Sequence, residues 1–147
     1  MMCLQTVLPL TAKTLGARFG TTGSDTLIGA QTDDVSMGAE GNDYMEGAAT
    51  NDVLDARGGN DLVYGGEGND SLILTGLTAG TSYTLQDTIE NLGLLGSVGI
   101  TARGNVSANY IDGTGGDDNI YGLDGDDTLT GNSGNDSLSG EIGRAHV

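Results

Sequence analysis

An apolar residue returns every nine positions. Leu27, Met45, Leu54, Val63 and Leu72, then Ile111, Ile120, Leu129 and Leu138, hold the place, and Ser36, between Val35 and Met37, is the polar exception. Polar or outward residues flank each one, which is the alternation of a short strand. Residues 38–46 serve as the model repeat. Tyr44-Met45-Glu46 forms the strand, with Met45 inward and Tyr44 and Glu46 outward. The six residues before it form a tight turn, and glycines at its first and fourth places are expected to supply φ > 0 and close backbone approach. A nine-residue period is too short for a helical repeat and marks a solenoid of very small coils. Tyr44, Tyr64, Tyr110 and Tyr121 take outward strand places and are expected to cover the sheet surface.

The period divides the chain. Residues 1–19 fall outside it, residues 20–73 hold six nonapeptides in register, residues 74–103 lack the motif, and residues 104–140 hold four more. Asp70 and Asn109 are 39 positions apart, which is not a multiple of nine, so the two blocks need not share one stack. The middle segment, Tyr83-Thr84-Leu85-Gln86-Asp87-Thr88-Ile89-Glu90-Asn91-Leu92-Gly93-Leu94-Leu95, alternates and is rich in β-branched residues, so it predicts short strands in a β-rich spacer. Residues 141–147 abandon the plan. Their string is what a common sequencing adapter would encode, so they read as an artefactual tail carrying the lone histidine, His146; an ordinary frayed terminus is the alternative.

Charge adds a partner to this picture. The chain has 21 acidic and 5 basic residues and a formal net charge of -16, which excludes nucleic acid. The acids recur with the period, and that points to a cation. High charge with few aromatics would suit a disordered chain, so the repeats are expected to fold conditionally. Cys3 is the single cysteine, so no internal disulfide forms. No apolar run is long enough to span a bilayer, and residues 1–19 lack the basic and apolar regions of a secretory signal.

The candidate ligands are the periodic carboxylates: Asp25, Asp34, Asp43, Asp52, Asp61 and Asp70, then Asp118, Asp127 and Asp136. Glycine stands two places before many of them, as at Gly41, Gly59, Gly68, Gly116, Gly125 and Gly134. The shared plan of Gly41-Asn42-Asp43-Tyr44-Met45, Gly59-Asn60-Asp61-Leu62-Val63, Gly68-Asn69-Asp70-Ser71-Leu72 and Gly134-Asn135-Asp136-Ser137-Leu138 resembles G-G-x-G-x-D-x-U-x, the calcium-binding nonapeptide of the RTX (haemolysin-type) family. Ile89-Glu90-Asn91-Leu92 resembles the spacer that separates repeat blocks in large RTX exoproteins.

The resemblance implies an all-β fold, a right-handed parallel β-roll in two repeat blocks joined by the spacer. It implies two nonapeptides per coil, with several Ca²⁺ ions between stacked turns, held by the aspartates and by carbonyls of the glycine-rich turns. Oxygen ligands on loose loops suit Ca²⁺ better than Mg²⁺, and the repeats offer no thiolate or imidazole ligand set. One inward apolar side chain per nonapeptide is too little burial to offset ordering nine residues, so calcium binding and folding are expected to be one event. The sites should be unequal: Thr32 and Thr50 stand where glycine is wanted before Asp34 and Asp52, and Ser107 and Asn109 degrade the site shared with Asp127. The implied setting is a type I-secreted bacterial exoprotein, extracellular or at the cell surface, monomeric, with the export machinery reached through the parent protein. No catalytic residue is expected. The alternative is a C-terminal repeat fragment of a secreted protease, lipase or polysaccharide-modifying enzyme whose catalytic domain lies outside this chain.

Overall fold

A computed structural model describes residues 16–140, and every regular element in it is a strand. Fourteen strands follow the chain: β1 (Gly16–Phe19), β2 (Thr26–Ile28), β3 (Asp34–Met37), β4 (Tyr44–Ala49), β5 (Val53–Ala56), β6 (Leu62–Glu67), β7 (Ser71–Leu74), β8 (Ser82–Thr84), β9 (Asn91–Leu94), β10 (Thr101–Arg103), β11 (Tyr110–Asp112), β12 (Asn119–Leu123), β13 (Thr128–Thr130) and β14 (Ser137–Gly140). Odd and even strands part to opposite faces. One face is a single seven-stranded parallel sheet, β1-β3-β5-β7-β9-β11-β13. The other face holds two sheets, β2-β4-β6 and β8-β10-β12-β14. This is the parallel β-roll that the family resemblance implies.

The register follows from the sequence. Leu27 pairs with Met45 and Met45 with Val63 on one face; Ser36 pairs with Leu54 and Leu54 with Leu72 on the other. Within each repeat block a strand therefore meets its equivalent two nonapeptides later, and like side chains stack along the axis. The expected inward set forms the core: Met45, Leu54, Leu72, Ile111 and Ile120 are fully buried, and Leu138, in the last strand, is partly buried. Ser36 is also buried, and its hydroxyl finds no partner. The four outward tyrosines keep to the surface: the rings of Tyr44 and Tyr64 lie 5.9 Å apart, and Arg103 sits 4.4 Å over Tyr121.

The spacer does not interrupt the seven-stranded face. Ser71 pairs with Asn91, and Asn91 with Tyr110. These two coils run 20 and 19 residues, and so absorb the 39-residue offset. Leu92 packs in register between Leu72 and Ile111, with Leu85, Ile89, Leu94, Ile100 and Ala102 continuing the same core. The extra residues show on the other face, where β6 and β8 are not paired. There the Gly65 N–H of the open edge donates instead to Thr88 Oγ1, at 3.1 Å.

Candidate metal centre

The periodic aspartates end a turn and open a strand, and from Asp34 onward the carboxylate reaches back one coil, whereas that of Asp25 closes its own turn on Thr21. Asp25 N–H donates to Asp43 Oδ1 at 2.9 Å, and Asp43 N–H to Asp61 Oδ1 at 2.9 Å. On the opposite side Asp34 N–H donates to Asp52 Oδ1 at 2.7 Å, and Asp52 N–H to Asp70 Oδ1 at 2.8 Å. In the second block Asn109 N–H donates to Asp127 Oδ1, and Asp118 N–H to Asp136 Oδ1, both at 2.9 Å. The aspartates thus stand in rows, one step per coil, along both sides of the solenoid.

One oxygen of Asp43, Asp52, Asp61, Asp70, Asp127 and Asp136 is used in this ladder. The other decides what the row can hold. Asp43 Oδ2, Asp52 Oδ2, Asp70 Oδ2 and Asp127 Oδ2 are buried and meet no hydrogen-bond donor. A buried carboxylate oxygen without a partner is costly. Burial raises the pKa of Asp43 and of Asp70, and pushes Asp52 up to about 6. Neighbouring charges add to it: Asp61 and Asp25 act on Asp43, and Asp70 and Asp34 on Asp52. Around Asp43, Asp52 and Asp70 the rows therefore crowd carboxylates together, and burial and mutual repulsion both work against their charge.

The glycine-rich turns bring carbonyl oxygens to the same places. A β-carbon at Gly47 would collide with both Asp52 Oδ2 and the Gly65 carbonyl oxygen, so only glycine leaves that pocket open. Positive φ falls at the second and fourth places of the turn, which corrects the expectation of the first and fourth. Ala39 (72°) and Gly41 (132°), Ala48 (85°) and Thr50 (74°), and Leu123 (74°) and Gly125 (122°) show the pattern. The first-place glycine serves close approach alone. Gly59, Gly68 and Gly134 also take left-handed φ, whereas Gly116 does not. Of the two threonines expected to be strained, Thr50 is and Thr32 is not.

The donor set is made of carboxylates and carbonyls, and among the described residues no group of three or more acidic, histidine or cysteine side chains comes together. An oxygen-only set with one or two carboxylates per position suits a hard cation, calcium before magnesium. The orphaned oxygens and the glycine pockets fit that ion.

The aspartates are not equivalent. Asp34 Oδ1 pairs with Arg18, 3.1 Å away, and its Oδ2 accepts the Ala30 N–H. Asp118 Oδ2 accepts the Thr114 N–H at 2.7 Å, and the Thr114 hydroxyl bridges both its oxygens. Asn109 replaces the carboxylate by an amide, which donates to Asn105 Oδ1 at 3.1 Å. Three participants were missed from sequence: Arg18, Glu90 and Asn105. Arg18 and Glu90 lie outside the nonapeptides, and the Asn105 side chain bonds spacer carbonyls; only the coil stacking brings them to the rows.

Rows of carboxylates over glycine turns, wound as a parallel solenoid, define a metal-binding repeat protein. The family model for the RTX calcium-binding nonapeptide repeat matches residues 19–45, 37–72 and 103–144, more than half of the chain. The chain belongs to this family. No curated protein and no solved structure matches it.

Proposed function

We propose that this chain is a calcium-driven folding module of a type I-secreted bacterial exoprotein. In the low-calcium cytosol it stays unfolded, which suits passage through an export channel. Outside the cell, calcium neutralises the rows and the coils stack. Asp25, Asp43 and Asp61 would hold ions on one side, and Asp52 and Asp70 on the other; Asp118, Asp127 and Asp136 serve the second block, with Asp34 already engaged by Arg18. Bound calcium supplies the positive charge between turns. The residues' part is to present oxygens, exclude donors and stack the inward apolar set. The observation that carries this reading is the run of buried, unpartnered Oδ2 atoms at Asp43, Asp52, Asp70 and Asp127. Among the described residues no helix is long and apolar enough to cross a membrane.

The test is circular dichroism of the full chain. In EDTA the spectrum is that of a disordered chain; at roughly 10⁻⁴–10⁻³ M Ca²⁺, the range of extracellular calcium modules, it turns β-type. Magnesium at equal concentration gives little change, because it demands tight octahedral geometry. A spectrum indifferent to calcium over that range overturns the reading.

A further inference from the structure

The ladder of carboxylates does not stop with the last nonapeptide of the first block. Asp70 N–H donates to Glu90 Oε2 at 2.9 Å. Glu90 thereby does for Asp70 what Asp70 does for Asp52, at 2.8 Å. It does so from the spacer, 20 residues on, with no glycine-rich motif before it. Asp70 is fully buried, and its Oδ2 has no partner. That oxygen and the Thr88 carbonyl converge on one place: a β-carbon at Gly65 would collide with both. One coil earlier the pair around Gly47 is Asp52 Oδ2 and the Gly65 carbonyl. The spacer thus rebuilds the oxygen pocket of a nonapeptide turn from different residues.

We infer that Asp70, Glu90 and the Thr88 carbonyl form a further calcium site, outside the nonapeptides, that ends the first block's row. The inference rests on the calcium reading above. Beyond Glu90 the row changes character. Asn105 Nδ2 donates to the Gln86 and Ile89 carbonyls at 2.7 and 2.8 Å, and Asn109 Nδ2 faces the Glu90 carbonyl at 3.4 Å. These N–H groups occupy carbonyls that an ion would need, and they repel a cation. The next coil is therefore joined by amides, and the site lies on the Asp70 side of Glu90 alone.

The full chain is compared with Glu90→Gln and, as a charge control, Asp87→Asn, an exposed spacer acid. Glutamine keeps an oxygen for the Asp70 N–H and removes the charge. Native mass spectrometry counts bound calcium, calorimetric titration gives affinities, and circular dichroism reports the fold. Glu90→Gln is expected to carry one ion fewer at the calcium concentration that saturates the wild type, while Asp87→Asn carries the full number. If Glu90→Gln stays unfolded at high calcium, Glu90→Asp decides: a shorter carboxylate should weaken one ion by about tenfold and spare the rest. An unchanged count and affinity in Glu90→Gln, or an equal loss in Asp87→Asn, overturns the inference and leaves the calcium reading standing. A wild type that binds no calcium overturns both.

Discussion

Among the described residues Thr50 carries the clearest local strain. Its φ of 74° is a left-handed conformation that a β-branched residue rarely takes. The site belongs to the turn that places Asp52, and the Thr50 carbonyl lies where a β-carbon on Gly68 of the next coil would sit. The backbone cannot relax without disturbing its neighbour. Left-handed geometry costs an L-residue roughly 1–2 kcal/mol, and glycine gives back part of that through a freer unfolded chain. Thr50→Gly should therefore stabilise the calcium-loaded fold by about 1 kcal/mol. Denaturant unfolding at saturating calcium measures it; a destabilised variant would mean that the threonine side chain makes a contribution larger than its strain. Thr32, at the matching place one coil earlier, is unstrained, so Thr32→Gly should bring no such gain.

Among the elements, β9 has the largest influence for its size. It is four residues long, yet it alone joins β7 to β11 and so makes one sheet of the seven-stranded face. Leu92 at its centre is fully buried, in register with Leu72 and Ile111. The other face has no such bridge, because β6 and β8 do not pair. Solenoid stability is a sum of coil and nearest-neighbour interface terms, so the contact at Leu92 couples the two blocks. Leu92→Ala should cost about 2–5 kcal/mol, as buried leucine truncations do. It should also split the calcium-induced transition into two steps, seen by hydrogen exchange resolved along the chain. A single step, merely shifted to higher calcium, would show that the blocks are coupled by other contacts.

For the whole molecule, charge sets the conditions under which the solenoid stands. The net charge is -16, and part of it is buried in the rows. Burial first, then the charges of Asp70 and Asp34, raise Asp52 from 3.8 to about 6 in the ion-free fold. Between those values the folded chain holds a proton that the unfolded chain has released. Stability of the ion-free fold therefore falls as pH rises through this window. In EDTA, β-type signal should grow as pH is lowered from 7 to about 5. Calcium and protons compete for the same oxygens, so calcium affinity should fall over that range, with protons released on binding near pH 6. Calorimetry in buffers of different ionisation enthalpy reads that release directly; heats independent of buffer would show that the carboxylates are already ionised. Residues 141–147 lie outside the described residues, as does His146.

The nine-residue period determined the solenoid, the inward set from Leu27 to Leu138 and the two rows of aspartates. A strict repeat makes this legible, because each residue's neighbour in the next coil is its own equivalent in sequence. Tertiary structure decided what breaks the repeat. The 39-residue offset permitted two separate stacks, and only the pairing of Ser71 with Asn91 and Asn91 with Tyr110 shows one continuous sheet. Glu90 lies in the spacer, with no nonapeptide around it, and joins the row through stacking alone. Arg18 lies before the first nonapeptide and meets Asp34 because β1 pairs with β3. The left-handed places in the turns, second and fourth and not the first, belong to the path the backbone takes between stacked coils. Contacts of this kind depend on which segments lie side by side in space, and a non-repeating sequence carries no periodic mark of that.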